Sequence, residues 1–198
     1  MFTEIRAALR PAMTLLLLLA AITGLAYPAL VTGVAQVALP RQANGSLIVD
    51  HDVVVGSELI AQSFAASRYF HPRPSAAGKG YDASNSAASN LAPGSKDLRD
   101  AIAARVAAAR AEGMTGGLTI PPDLVTTSAS GLDPDLSPEA AFWQVSRVAK
   151  ARGLPRAKVR ALVEQSIAWP WLGIIGDAHV NVLLLNRQLD RISTNSPT

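Results

Sequence analysis

Cysteine is absent from the 198 residues, which excludes a disulfide framework and a thiolate metal site and leaves the redox compartment unread. Histidine is scarce. His51, His71 and His179 stand far apart with no H-E-x-x-H pair, so structural or surface roles are expected of them and no metal site is assigned. The formal charge of +3 is a mild basic bias, far from the footprint of a nucleic-acid binder. Ala76-Ala77-Gly78-Lys79-Gly80 contains a Gly-Lys pair, but it lacks the first glycine of a phosphate-cradling loop and the Ser or Thr that would bind magnesium. No G-x-S-x-G elbow occurs either. No catalytic residue is assigned.

What is present in quantity is apolar sequence near the amino terminus. No charged side chain occurs between Arg10 and Arg41, and about 20 apolar residues suffice for a helix to cross a hydrocarbon core of roughly 30 Å. Three readings compete: a cleaved signal ending near Val34-Ala35-Gln36-Val37-Ala38, a buried core helix, and a membrane anchor. The length favours an anchor over residues 12–37. Pro28 is expected to kink this helix rather than abolish it, and Thr32, Gly24 and Gly33 to favour close helix contact. Arg6 and Arg10 precede the span, so the positive-inside rule puts residues 1–11 in the cytoplasm and everything after Arg41 outside.

Residues 41–192 form one domain's length of mixed sequence, with 193–198 as a flexible tail. Ser46–Val49 and Val53–Val55 read as strands. Ser57 reads as the cap of a short helix over Glu58–Phe64. A long loop rich in Pro, Ala, Gly, Ser and Asn covers 72–95, either a contact surface or slack. Ser95 caps the next helix, with Leu98, Ile102, Val106 and Ala109 on one face and Gly113 past its end. Thr115–Pro122 turns into a strand at Leu124–Thr127. Ser137-Pro138-Glu139 opens a helix that stops at Gly153, and Pro155 opens another, with Val159, Leu162, Val163 and Ile167 inward and Pro170 closing it. His179–Leu185 reads as a strand followed by a helical turn through Leu189. The fold class is α+β, a single transmembrane helix followed by one small extracytoplasmic domain.

Two clusters invite a functional reading. Asp133-Pro134-Asp135 concentrates two carboxylates that attract cations, although turn chemistry accounts for them as well. Arg147, Lys150, Arg152, Arg156, Lys158 and Arg160 follow one another without an intervening acid, as on a solvated helical face or, less simply, a face that docks an acidic partner or lipid headgroups.

Several stretches in order resemble the C-subunit family of the Kdp high-affinity potassium-transporting P-type ATPase. They are Gly56–Gln62, Tyr69–Ala76, Ser89-Asn90-Leu91, Ser130–Pro134, Ser137-Pro138, Arg152-Gly153-Leu154 and Val180–Asn186, and together they cover nearly the whole chain. The family pattern has Gly at the position of Ala61 and usually His at that of Asp135. The resemblance implies a non-catalytic accessory subunit of the bacterial inner membrane, whose partners are a pore-forming potassium-binding subunit, a P-type catalytic subunit and the bilayer, with no nucleic acid. It implies no firmly bound cofactor, ATP being reached at most through the pump subunit. Two mechanisms are open, a catalytic chaperone that raises ATP affinity, with Gln62 as candidate nucleotide contact, and a structural role beside the potassium entrance. For the second, Tyr69, Phe70, Arg73, Ser75, Asn90 and Leu91 are the interface candidates. A membrane-anchored binding module or enzyme unrelated to transport is the alternative.

Overall fold

The computed structural model describes residues 2–112 and 119–194, and the chain divides into two units, Met1–Leu47 and Ile48–Thr198. In the first, helix α1 (Phe2–Ala21) runs through a π turn, Ile22–Ala26, into α2 (Tyr27–Ala38), and a short α3 (Pro40–Ala43) follows. Residues 2–11 are therefore helical, continuous with the apolar stretch. The widened turn is the consequence of Pro28, which has no N–H and whose ring would strike the carbonyl of Gly24 in a regular helix. Tyr27 N–H instead donates to Ile22 O, five residues back. Thr14 and Thr23 return their hydroxyls to the helix, donating to Arg10 O and Leu19 O at 2.9 and 2.7 Å. Leu39 leaves the helical region (φ −138°, ψ 54°) because Pro40 disfavours helical geometry in its predecessor.

A hairpin follows, β1 (Leu47–Asp50), all but its first residue in the second unit, and β2 (Val53–Ser57). His51 and Asp52 both adopt positive φ, 47° and 62°, as a two-residue primed turn requires. The helix expected after Ser57 does not form. Ser57 Oγ accepts from Leu59 N–H at 3.1 Å, a local turn, and Ala61 N–H is drawn to Leu132 O at 2.9 Å, so the donors of a first helical turn are already engaged elsewhere. Irregular chain then continues to Ser95, longer than the loop read at 72–95.

Helix α4 (Lys96–Ala111) starts where expected, Ser95 accepting from Leu98 N–H, but none of its residues is fully buried. Leu98, Ile102, Val106 and Ala109 are half-buried. Gly113 and the turn beginning at Thr115 lie outside the described residues. The strand expected at Leu124–Thr127 is a 3-10 turn, Pro122–Leu124. Pro121 and Pro122 bring no N–H groups to a ladder, and Thr126 folds back on Pro122 O through both its N–H and its hydroxyl.

The core is built from α5 (Pro138–Arg152), α6 (Arg156–Gln165), α7 (Val182–Thr194) and a three-stranded antiparallel sheet, with β5 (His179–Asn181) between β3 (Asp135–Leu136) and β4 (Ile167–Ala168). Its register pairs Leu136 and Ile167 with Val180. Ser137 caps α5 and Gly153 ends it in the left-handed region at φ 64°. Ile167 belongs to β4 rather than to the preceding helix. The strand expected over His179–Leu185 stops at Asn181, because Asn181 Oδ1 accepts from Leu184 N–H at 3.1 Å and caps α7. Val148, Val163, Val180, Leu185 and Leu189 are fully buried in one cluster with Phe70. Ser193 and Thr194 continue α7, and residues 195–198 of the expected tail lie outside the described residues.

Candidate functional site

Phe70 and His71 lie in chain without regular secondary structure, paired with no strand, and the domain meets their backbone groups with side chains. Asn186 of α7 accepts from Phe70 N–H at 2.8 Å and donates to Phe70 O at 3.0 Å. Gln144 of α5 does the same for His71, at 2.8 Å and 3.0 Å. Both carboxamides are buried, as buried polar groups with complete hydrogen bonding can be. Arg147 donates to Ser67 O, Tyr69 O and Gln144 Oε1 at 2.6, 2.9 and 2.6 Å, and pairs with Glu112. Burial pulls its pKa down, partly offset by Glu112. Arg152 donates to Arg68 O, pairs with Asp190 and lies 4.9 Å over the Tyr69 ring. The basic stretch is thus divided, with Arg147 and Arg152 turned inward to clamp the 67–71 segment and Lys150, Arg156, Lys158 and Arg160 exposed.

The interface candidates separate accordingly. Phe70 is 0% exposed, so it is a core residue and not a contact anchor. Tyr69 is half-buried, its hydroxyl donating to Asp190 Oδ2 at 3.2 Å. Arg73 pairs with Asp133 Oδ2 at 3.0 Å and donates to Thr127 O at 3.3 Å, an internal brace. Ser75 organises the loop, donating to Gly131 O and accepting from the N–H groups of Ala77 and Tyr81. Gly131 fits because a Cβ there would lie 2.6 Å from Ala87 O. Asn90 is exposed with φ 51°, and Leu91 is half-buried. Gln62 lies against Gly56, which has no Cβ to obstruct it, and donates to Val55 O at 2.9 Å.

Asp133 and Asp135 line a surface cleft of about 700 Å³ with Glu139, Asp177 and His179. Their carboxylates are already engaged. Asp133 faces Arg73 and accepts from Asp135 N–H, while Asp135 accepts from Asn181 and stands 4.0 Å from His179. Burial, opposed by His179 and reinforced by Asp133, pushes the Asp135 carboxyl above its usual range. Among the described residues, no group of three or more His, Asp or Glu side chains converges as a metal site would require.

Sequence reading missed the clamping side chains Gln144, Asn186 and Asp190 and read Arg147 and Arg152 only as part of a basic face, since nothing local distinguishes them from surface polar residues. It also passed over Trp169–Ile175. Trp169, Trp171, Leu172, Ile174 and Ile175 are 73, 67, 71, 82 and 56% exposed, on a tight turn where Trp171 pairs with Ile175. The signal was legible as an apolar run broken by Pro170 and Gly173.

These features define a class, a small α+β domain behind one apolar helix, in which the buried polar side chains hold backbone rather than converge on a reacting atom. Residues 9–191 match the family described as KdpC: K+-transporting ATPase, c chain. The potassium-transporting ATPase KdpC subunit of Rhodospirillum rubrum is 54% identical over 184 residues, 92% of this chain and 94% of that protein. The KdpC subunit of Caulobacter vibrioides is 56% identical over 183 residues, 92% of each, and that of Polaromonas naphthalenivorans 50% over 191 residues, 96% and 97%. The chain belongs to the KdpC family.

Proposed function

We propose that this chain is the single-span accessory subunit of an ATP-driven potassium uptake complex and that its role is structural. The observation that carries the reading is the helix Thr3–Ala38, long and apolar enough to cross a membrane, with none of its most apolar window buried. Such a surface demands lipid or neighbouring helices. In this reading the helix packs in the bacterial inner membrane against the pore-forming subunit. Arg6 and Arg10 hold the amino terminus in the cytoplasm, and the domain stands outside beside the potassium entrance. One helix cannot enclose a selective pore, so transport and ATP hydrolysis fall to the partner subunits.

The catalytic-chaperone effect, a higher ATP affinity of the pump subunit, follows here from assembly and not from contact with nucleotide. Gln62 supports this choice, because its amide is engaged with Val55 O, and an extracytoplasmic domain meets no cytosolic ATP. The exposed carboxylates Glu139 and Asp177 add negative potential at the cleft that Asp133 and Asp135, paired as they are, supply less strongly. Family membership weighs against a binding module or enzyme unrelated to transport.

The deciding experiment uses the absence of cysteine. A Ser86→Cys variant, its residue exposed on the loop, should react with a membrane-impermeant thiol reagent in intact cells. Reaction only after the inner membrane is opened from the cytoplasmic side overturns the placement. Mild detergent extraction of a tagged chain should bring down a pore subunit and a pump subunit together, and recovery of the chain alone overturns the accessory reading.

A further inference from the structure

The turn Trp169–Ile175 exposes five large apolar side chains, Trp169, Trp171, Leu172, Ile174 and Ile175, and none of them belongs to the core cluster. From Ile167 to Gly176 there is no charged side chain. A protein-docking surface ordinarily surrounds its apolar centre with polar groups that fix register, and the tip has none of its own. Its backbone is self-sufficient. Trp171 N–H donates to Ile175 O at 2.9 Å and Ile175 N–H to Trp171 O at 3.0 Å, while Gly173 and Ile174 N–H donate to Pro170 O and Trp171 O. Pro170 has no N–H at all. Such a turn enters an apolar phase without stranding many donors, which is the main cost of lipid insertion for irregular chain. Leu172 and Gly173 form the bend at φ 52° and 75°, so aliphatic Leu172 and Ile174 flank the apex and Trp169 and Trp171 stand on the ascending arm. Tryptophan is enriched at the headgroup level of membranes, with aliphatic groups deeper.

The chain itself supplies the lipid. Eight residues, Leu39 to Ser46, join α2 to β1, a tether of at most roughly 29 Å if fully extended. A span held in a bilayer therefore keeps the domain at its surface at high effective concentration. We propose that Trp169–Ile175 dips into the lipid interface, giving the domain a second hold on the membrane that fixes how it stands beside its partner subunits. The inference rests on the anchor reading of Thr3–Ala38.

The test uses the full-length chain in vesicles of phosphatidylethanolamine and phosphatidylglycerol, with and without acyl-chain bromination. Leu18→Cys, Ile174→Cys and Ser84→Cys, each the only thiol in the protein, carry the same environment-sensitive fluorophore. Brominated lipid is expected to remove about half or more of the signal at positions 18 and 174 and little at 84, and Trp171→Ser with Leu172→Ser should return position 174 to the level of 84. These side chains are exposed, so the substitutions leave the core intact. Quenching at 18 without quenching at 174 overturns the proposal alone, whereas no quenching at 18 overturns the anchor reading and the proposal with it. The same labels in the complete complex give the remaining outcome: loss of lipid quenching at 174 there means that a partner protein covers the tip, and lipid insertion is then wrong.

Discussion

Asn186 and Gln144 do for Phe70 and His71 what a neighbouring strand does in a sheet, and the comparison fixes what their loss should cost. Replacing Asn186 by Leu preserves volume but leaves the N–H and C=O of Phe70 buried and unpaired. At about 1–3 kcal/mol for each unsatisfied group, we expect a loss of about 3 kcal/mol, and a thermal midpoint lower by roughly 6–12 °C for a chain of this size. Thermal unfolding of the detergent-solubilised full chain measures it, and a change under about 2 °C would mean that water takes the place of the amide. His71 carries a pH signature at the same site. Burial first, then the charge of Arg147, lowers its pKa below 6.5, against the smaller opposing effects of Ala66 O and Glu112. Below pH 6.5 the unfolded chain binds a proton that the folded chain holds off, so the stability this histidine contributes is complete above that value and is lost as pH falls through the folded pKa. Unfolding midpoints should therefore drop more steeply between pH 7 and pH 5 in the parent than in His71→Gln, and parallel curves would assign the acid sensitivity to other groups.

Helices α4 and α5 begin with the same device, a serine whose hydroxyl accepts from the third residue on, yet their ends should respond differently to its removal. Ser137 caps a helix that buries Val145, Val148 and Ala149, whereas Ser95 caps one with no fully buried residue. Each cap is worth about 1 kcal/mol. Ser137→Ala should lower the global midpoint by about 2–4 °C, while Ser95→Ala should leave it nearly unchanged and speed amide exchange within α4, because a weakly packed helix opens locally before the domain unfolds. Equal global effects would show α4 to be part of the same cooperative unit. The caps explain why these helices were legible in the sequence, since Ser-Pro-Glu and a terminal Gly act through local geometry. What was not legible was decided at a distance. Leu132 O takes the N–H of Ala61 and undoes an amphipathic turn, and Asn181 ends β5 by capping α7 inside a run of β-branched and aliphatic residues that locally favours strand.

At the scale of the whole chain, the long apolar helix stood out in the sequence because length and hydropathy need no tertiary information, and the structure has one helix, Thr3–Ala38, long and apolar enough to cross a membrane. The candidate site was less legible for the opposite reason. Phe70 and Arg73 were chosen by residue type, and their surroundings made one a core residue and the other a brace, while Trp169–Ile175 was visible as an apolar run whose exposure only the fold reveals. The span poses the same problem, since its residues show an unpartnered surface without naming the partner. Gly24 and Gly33 have nothing within 4 Å of where a Cβ would stand, so enlarging them costs the isolated chain no packing. If the helix lies against the pore subunit by its small residues, Gly24→Leu with Gly33→Leu should leave the unfolding midpoint of the domain in place and cut co-purification of the other subunits by about tenfold, the equivalent of 1.4 kcal/mol of helix packing. Undiminished recovery would rule that face out as an assembly contact and shift the assembly contacts to the α+β domain.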